Sequence, residues 1–388
     1  MGTAAPPSQV PAVRAAMQVV TAACRCALGN DPGHDIAALV SSVPDWPALL
    51  RCVDAHAVAP IIYAPLAQCG GVPPEPLAQL RAAVDENALR SLVLARTLRE
   101  IVALLDDERI PVVPIKGPLL AQTAYGNLAR RCFGDLDLVV HRRDLDRARV
   151  ILADRGFQPA IQLPAGAEAA VLEADYHIVL TEPVEHVTLE LHWSLIRAGL
   201  AGLRNERWIW DHSVETTALG SAMRTLTNEA MFVYLCVHGS KHVWSQLGWM
   251  CDIAALARNT TMSWTAVEQL AASVGARRML GLGCALGDGL LGASLPVVAV
   301  QNAQVRRAAA DVAARLFDAG RYASSALALQ WQMRTRPMDK LAMLIDVLAA
   351  PHASDVHAVP LPGRARLLYY GLRPLRLLAA RSGRLMRR

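Results

Sequence analysis

The spacing of apolar residues changes twice along the chain, and each change predicts a boundary between helical and mixed structure. Before residue 109, apolar residues recur with a helical period, as in VRAAMQVVTAACRCAL and in the long segment that starts at Pro74. Between 109 and 215, short β-branched or alternating stretches replace this period. The helical period then returns. The pattern predicts an α+β fold with a small mixed sheet, flanked by N-terminal helices and a C-terminal helical domain.

Local signals refine the helical regions. Asp45, with Pro47 in the first turn, predicts a helix start, and Gly70 with Gly71 predicts a stop. The segment from Pro74 reads as one long helix or as two. The predicted regions are an N-terminal helical region at 1–108, a core at 109–215, a C-terminal helical domain at 216–350, and a linker with a basic Arg/Leu-rich tail at 351–388.

Within the core, four stretches are typical of strands and one of a helix. The strands are IPVVPIKG, DLDLVV, YHIVLTEP and HVTLELHWSL, and the last two are joined by a turn around Pro183. The stretch RRDLDRARVILADRGF predicts a helix with Asp144 as its N-cap and Gly156 just after its end.

Charge is distributed unevenly and separates the tail from the main body. The net charge is +5, yet residues 361–388 hold eight arginines and no acid, so the remaining chain nets −3. The main body therefore gives no strong nucleic-acid signal. The tail predicts a basic amphipathic helix interrupted at Pro374, which could contact a membrane surface or an acidic partner, or be a solvated extension.

Hydropathy and cysteine usage exclude several classes of protein. The chain is 53% hydrophobic, but its most apolar stretch, 279–300, contains glycines, an acid and a proline, and reads as a buried helix followed by a loop. No signal peptide is visible. The eight cysteines form no CxxC pair, so no zinc site or disulfide framework is indicated. We expect a cytoplasmic protein, with any membrane contact peripheral.

Asp135 and Asp137 stand two apart in the alternating stretch DLDLVV, so their side chains share one strand face while the leucines point to the other. Paired carboxylates can hold hard cations such as Mg²⁺ together with substrate phosphates. Taken alone, the pair is better explained by a solvated strand edge or by a salt bridge with Arg130 or Arg131.

Two further features favour a catalytic site. The strand IPVVPIKG delivers Lys116 and Gly117 to a helix start, where backbone N–H groups can approach a phosphate and the helix dipole favours anions. Lys116 adds a positive charge suited to a triphosphate. Glu190, on a later strand, offers a third carboxylate. A turn glycine, a surface lysine and a solvated strand edge are the ordinary alternatives.

The order of these motifs resembles that of DNA-polymerase-β-type nucleotidyltransferases, and more closely that of an uncharacterised bacterial nucleotidyltransferase family. The matching residues are Lys116-Gly117, Tyr125, Arg130 or Arg131, Asp135-Leu136-Asp137, Gly156-Phe157, His177 and Glu190-Leu191-His192-Trp193. The resemblance covers roughly residues 45–260. Relative to the broader superfamily, Lys-Gly replaces the usual Gly-Ser, and the spacing to the Asp-x-Asp strand is longer.

The resemblance implies transfer of a nucleotidyl group from an NTP such as ATP to an unidentified acceptor, within a biosynthetic pathway. Asp135, Asp137 and Glu190 would bind the metal, as two Mg²⁺ ions or Mn²⁺ in their place, and Glu190 would help to deprotonate the acceptor. The nucleotide-binding residues would be Lys116, Gly117, Arg130 and Arg131.

Several histidines are weaker candidates for the acceptor cleft. His238 and His242 form an HxxxH spacing that is typical of zinc sites, but Gly239 stands where the glutamate of HExxH would be, and no third ligand is evident. Packed or capping histidines are the ordinary interpretation. The acceptor-cleft candidates are His177, His192, His238, Lys241 and His242.

Two other functions remain open on the sequence alone. A metal-dependent phosphotransferase would use the same core and the same carboxylates. A non-catalytic binding or scaffold protein would retain only the fold, and the intact set of Asp135, Asp137 and Glu190 argues against it.

Overall fold

The computed structural model describes residues 10–30, 36–164, 168–197, 200–295, 302–317, 326–361 and 363–385, with a five-stranded mixed sheet at its centre. The strands are β1 (Val112–Ile115), β2 (Asp135–Val140), β3 (Gln158–Pro159), β4 (His177–Glu182) and β5 (Val187–His192). Their order is β1-β2-β5-β4-β3. β2 and β5 are parallel, and the other neighbouring pairs in this sheet are antiparallel. The predicted α+β class is confirmed.

Helices precede, connect and follow these strands. They are α1 (Val10–Ala27), α2 (Ile36–Ser41), α3 (Trp46–Ala55), α4 (Ala59–Cys69), α5 (Pro74–Asp107), α6 (Gly117–Tyr125), α7 (Leu145–Asp154), α8 (Glu168–Ala174), α9 (Ala201–Arg204), α10 (Glu206–Asp211), α11 (Asn228–Lys241), α12 (Leu247–Asn259), α13 (Trp264–Ser273), α14 (Arg277–Leu291), α15 (Ala303–Leu316), α16 (Ala326–Met333), α17 (Pro337–Leu348), α18 (Ala353–Ala358) and α19 (Tyr369–Leu385). In the described ranges, none of them combines the length and apolar character that crossing a bilayer requires.

One face of the sheet is apolar and packs against α5 and α7. Leu136 and Leu138 of β2, and Leu189 and Leu191 of β5, are buried in one cluster with residues such as Leu98 of α5. Because side chains alternate along a strand, burial of these leucines turns the acidic residues of β2 and β5 to the opposite face.

α5 is a single helix of 34 residues, which decides between the one-helix and two-helix interpretations. Its residues Leu94, Leu98, Ile101 and Leu105 recur every three or four positions and are buried. This spacing places them on one face of the helix, which covers the apolar side of the sheet.

The N-terminal and C-terminal helices share one hydrophobic core. Met17 of α1, Ile62 of α4, Phe232 of α11 and Ile253 of α12 are all buried in the same cluster. Val139 of β2, whose side chain points to the acidic face of the sheet, belongs to it too. The two helical regions therefore pack together beside that face.

Of the two aspartates predicted to begin helices, one makes a capping hydrogen bond with its side chain and the other does not. The Asp45 side chain accepts a hydrogen bond from the Ala48 backbone N–H at 2.9 Å, which confirms the predicted start of α3. Asp144 does precede α7, but its side chain makes no capping hydrogen bond. Gly156 lies just beyond α7 with φ of +94°, a conformation that glycine adopts without steric cost.

A small hairpin crosses the predicted boundary between the core and the C-terminal region. Its strands are β6 (Ser213–Thr216) and β7 (Met223–Leu226), which pair antiparallel. The Thr225 hydroxyl donates to the Pro114 carbonyl at 3.3 Å, so the hairpin is attached beside β1. The chain from 213 to 226 thus packs against the sheet.

The C-terminal region is more ordered than the sequence predicts. α18 occupies the segment interpreted as a linker, and α19 continues through Pro374 where an interruption is predicted. The Asp355 carboxylate connects the two helices, because it accepts from the His352 backbone N–H at 2.9 Å and binds Arg373 and Arg376 of α19. Two tail arginines are therefore engaged within the chain.

Candidate active site

The register of the sheet gathers the candidate residues on one face. Asp137 of β2 lies opposite Glu190 of β5. Asp135 is two positions before Asp137 on β2, and His192 is two positions after Glu190 on β5. On the other side of β5, His177 of β4 lies opposite His192. Neighbouring positions in a sheet point the same way, so these five side chains form one polar patch.

Three of these side chains form a compact set of possible metal ligands. The His192 Nε2 atom lies 3.3 Å from Asp137 Oδ1 and 3.2 Å from Glu190 Oε2. One ligand atom from each of the three residues lies within 4.8 Å of the others. Asp135 is on the same face but outside this compact set. The set therefore contains His192 together with Asp137 and Glu190, whereas the sequence predicts Asp135 with these two carboxylates.

Lys116 reaches this set from the turn between β1 and α6. Its Nζ lies 3.0 Å from Asp137 Oδ1, and both side chains are almost completely buried. Lys116 has φ of +58°, which costs a non-glycine residue about 1–3 kcal/mol, and Gly117 follows with φ of +49°. Strained backbone of this kind is typical of functional sites, and here it turns the ammonium towards the carboxylates.

The electrostatics of the set favour positive charge at Asp137. Burial by itself would raise the pKa of Asp137, but the charge of Lys116 and the contact with His192 outweigh it and hold that pKa well below its usual range. Burial lowers the pKa of His192, yet Asp137 and Glu190 outweigh burial and raise it. Burial and the neighbouring Asp137 raise the pKa of Asp135.

The unsatisfied atoms of this set fit a divalent cation. Asp137 Oδ1 contacts Lys116 and His192 Nε2, but within the described residues Asp137 Oδ2 and His192 Nδ1 are buried without a hydrogen-bond partner. A buried polar atom without a partner costs about 1–3 kcal/mol, which a bound ion would offset. Carboxylates suit Mg²⁺ and Mn²⁺, and an imidazole ligand adds affinity for a transition metal.

Of the two candidate arginines, the structure brings only Arg131 to the site. Its Nε and Nη2 atoms each donate to a carboxylate oxygen of Asp252 on α12 at 2.9 Å, and the Tyr125 hydroxyl donates to the same carboxylate at 2.8 Å. Asn87 of α5 donates to the Arg131 carbonyl at 3.2 Å. Arg130 instead points to the Ala27 carbonyl at 3.4 Å, away from the carboxylates.

The wall opposite the sheet comes from the end of α11. The His238 and His242 rings lie 4.7 Å apart, with Trp249 of α12 against both. Burial, followed by nearby cations, lowers the pKa of both histidines, that of His242 to about 4. Neither histidine joins a group of metal ligands among the described residues, so the zinc interpretation of HxxxH gains no support.

The glycine between these histidines has a packing role. A Cβ atom on Gly239 would lie 2.6 Å from the indole ring of Trp244, closer than any real contact. Trp244 folds back onto α11 because it and Val243 adopt positive φ angles of 52°. The residue that replaces the HExxH glutamate is therefore required by packing of the helix end.

All but one of the candidate site residues line a single cavity of about 600 Å³, within the usual size range of ligand sites. The exception is Arg130. The candidate residues that line the cavity are Lys116, Gly117, Arg131, Asp135, Asp137, His177, Glu190, His192, His238, Lys241 and His242. The structure thus brings together residues from the sheet and from α11 that are far apart in the chain.

Several residues in or beside the cavity were not predicted from the sequence. Tyr176, Tyr234 and Trp249 line the cavity, and Asp252 orients Arg131 from behind it. The sequence did contain a signal for Asp252, which is one acid in the otherwise apolar first part of LGWMCDIAALARN. In the structure its side chain is buried, with 2% exposed. A lone charge on a buried helix face requires a partner, but the sequence does not say which.

A mixed sheet with carboxylates on β2 and β5, beside a lysine-glycine helix start, has the arrangement of a nucleotidyltransferase. Residues 42–292 match the family described as "Uncharacterised nucleotidyltransferase", and the chain belongs to this family. The matched range includes α11 and α12 as well as the sheet. The class of enzyme is therefore established, and the predicted relationship is confirmed.

Neither curated proteins nor solved structures identify a substrate for the chain. No curated protein matches the chain. Among solved structures, the antibiotic-resistance factor ANT(2'')-Ia shows 15% identity and a TM-score of 0.34, over 47% of this chain and 91% of that chain. A likeness at this level is too distant to assign a substrate.

Proposed function

We propose that this nucleotidyltransferase is metal-dependent and transfers a nucleotidyl group from an NTP to a hydroxyl group of its acceptor. The observation that carries the proposal is the compact set of Asp137, Glu190 and His192, with buried atoms left unsatisfied, beside Lys116 in one cavity. In the transfer, the acceptor oxygen bonds to the α-phosphorus, pyrophosphate leaves, and the acceptor loses its proton.

Each side of the cavity has a distinct part in this reaction. Asp137, Glu190 and His192 would hold the ion, with Asp135 beside them, and a bound ion would neutralise phosphate charge and orient the reacting oxygens. Glu190 is the carboxylate of the set with an exposed surface, 27% of its side chain, and is placed to accept the acceptor proton.

The nucleotide phosphates would bind where the cations and the helix start converge. The backbone N–H groups of Gly117 and Leu119 at the start of α6 favour an anion through the helix dipole, while Pro118 between them has no N–H. Arg131 is held by Asp252 through Nε and Nη2, which leaves Nη1 available to a phosphate. Lys116 would exchange part of its contact with Asp137 for a phosphate once an ion is bound.

Metal removal gives the first test. Incubation of the protein with each NTP, Mg²⁺ or Mn²⁺ and a metabolite extract as acceptor source should release pyrophosphate, and EDTA should lower that release to background. Because His192 offers a nitrogen ligand, we expect Mn²⁺ to support transfer at lower concentrations than Mg²⁺. Release of a nucleoside diphosphate would instead identify a phosphotransferase, and turnover unaffected by EDTA would contradict metal dependence.

We also propose that the basic C-terminal region contacts an anionic membrane surface. Five large apolar residues of α17 are exposed: Met338, Leu341, Leu344, Ile345 and Leu348. Residues 361–388 add eight arginines and no acid. An exposed apolar helix face, followed in the sequence by a strongly basic segment, is typical of interfacial helices and favours a membrane over an acidic protein.

Vesicle flotation tests this surface contact. The protein should float with vesicles of phosphatidylcholine and phosphatidylglycerol but not with phosphatidylcholine alone. Leu341→Glu and Leu348→Glu should each lower the bound fraction about tenfold, since a buried leucine contributes about 1.5–3 kcal/mol. Val184→Glu is the matched control, because Val184 is 82% exposed in the turn after β4. Equal binding of all three variants, or none by the unaltered protein, would contradict the contact.

A further inference from the structure

Lys241 is a cation in the cavity wall without an anionic partner. It is the last residue of α11, its ammonium donates a hydrogen bond to the Tyr176 hydroxyl, and its Nζ lies 4.7 Å from the centre of that ring. Among the residues that the structure describes, no carboxylate forms an ion pair with it at 4.0 Å or less. The hydrogen-bond partner of the ammonium in the described part of the chain is thus an uncharged phenol hydroxyl.

Two other cations that line the cavity are paired with carboxylates. Lys116 binds Asp137 at 3.0 Å, and Arg131 binds Asp252 at 2.9 Å. Removal of a charge from water is costly unless an opposite charge compensates it. Burial, followed by the charge of Lys116, lowers the pKa of Lys241, and the more weakly acting carboxylates Glu190, Asp137 and Asp175 do not offset this lowering.

The surroundings of Lys241 favour an anionic ligand over a cationic one. The carboxylates that line the cavity, Asp135, Asp137 and Glu190, all lie on the sheet side. The α11 side presents Lys241 with the neutral His238 and His242. A positively charged acceptor would meet no opposite charge on this wall, whereas an anionic one would meet Lys241.

We propose that Lys241, steadied by Tyr176, binds an anionic group of the acceptor, so that the acceptor carries a phosphate or a carboxylate in addition to the hydroxyl that is modified. This assignment gives Lys241 to the acceptor, and Lys116, Gly117 and Arg131, which line the same cavity, to the triphosphate. This inference rests on the proposed function, because it assigns the second substrate of the same cavity.

The test measures anion binding with the nucleotide position filled. Protein saturated with Mn²⁺ and a non-hydrolysable NTP analogue is titrated calorimetrically with inorganic phosphate in one series and with acetate in another. We expect the unaltered protein to bind one of these anions. Lys241→Met should weaken that binding at least about tenfold, while Lys241→Arg, which keeps the charge, should retain most of it.

Lys340→Met is the matched control, because its ammonium also lies over an aromatic ring, that of Trp331 at 5.1 Å, but outside the cavity. It should bind the anion like the unaltered protein. Thermal unfolding of each variant verifies that the fold is kept.

Three results would overturn the assignment. If neither anion binds the loaded protein, or if Lys241→Arg loses the anion as fully as Lys241→Met, Lys241 has no such role. If Lys241→Met weakens binding of the NTP analogue itself about tenfold, Lys241 belongs to the triphosphate position instead. Failure of the unaltered protein to bind the analogue with metal would refute the proposed function itself, and the acceptor assignment with it.

Discussion

Replacement of Asp137 by asparagine is expected to lower nucleotidyl transfer at least about 100-fold and to destabilise the protein at the same time. Asparagine cannot supply the charged oxygen that a divalent ion requires, and loss even of an indirect metal contact typically costs 10–100-fold. The change also leaves the buried Lys116 ammonium without its carboxylate at 3.0 Å. Breaking a buried ion pair from one side costs about 3–5 kcal/mol.

A second substitution separates these two effects. In the double variant Lys116→Met/Asp137→Asn, both charges are gone, so most of the lost unfolding free energy should return while transfer remains absent. Denaturant unfolding measures the stability, and pyrophosphate release with Mn²⁺ measures the transfer. Transfer at the normal rate in Asp137→Asn would contradict the site assignment. Additive losses of stability in the double variant would show that the two residues do not interact.

Asp252→Asn is expected to weaken nucleotide use without changing the metal site. Asp252 holds the Arg131 guanidinium by two hydrogen bonds of 2.9 Å, and both side chains are buried. With a neutral amide in its place, Arg131 loses its fixed orientation, and we expect KM for the NTP to rise about 10–100-fold, as for other indirect contacts. Mn²⁺ affinity, measured calorimetrically, should stay unchanged, because Asp252 contacts none of the proposed ligands.

Tyr125→Phe is the control for Asp252→Asn. It removes only the hydroxyl that donates to Asp252 at 2.8 Å and leaves the pair with Arg131 intact. The expected loss is about 1.5–3 kcal/mol of stability, with little change in KM, since a hydrogen bond to a charged group is worth about that much. A normal KM in Asp252→Asn, or an equal rise in both variants, would show that Asp252 does not position Arg131.

The strands could be predicted because burial on one face leaves a period of two in the sequence. The alternation in DLDLVV follows directly from Leu136 and Leu138 packing against α5, and it places Asp135 and Asp137 on the other face. Lys116 and Gly117 were recognisable because a short apolar strand ends at them. These features depend on neighbours within a few residues.

The composition of the compact set of possible metal ligands could not be predicted. The sequence places Asp135, Asp137 and Glu190 together, whereas the register of β2 against β5 brings Glu190 and His192 closest to Asp137. A parallel register depends on how two distant segments pack, and a shift of one residue would turn every side chain to the other face.

The ion pair between Arg131 and Asp252 could not be predicted from the sequence either. From the sequence, Arg131 is a neighbour of the Asp-x-Asp motif and a candidate for the nucleotide, without distinction from Arg130. In the structure, Asp252 of α12 forms an ion pair that holds Arg131 in the cavity wall, while Arg130 lies outside the cavity. Pairing between residues 121 positions apart leaves no local pattern, because it arises only when the helical core closes over the sheet.

The α+β class, the strand faces, the Lys-Gly helix start and the family could be inferred from the amino-acid sequence, since each of these leaves a periodic or local mark. Tertiary packing was needed to show which carboxylates lie beside His192, that Asp252 orients Arg131, and that Lys241, among the described residues, enters the cavity without an ion-pair partner. Those outcomes depend on long-range packing, where the burial of charge selects partners that lie far apart in the chain.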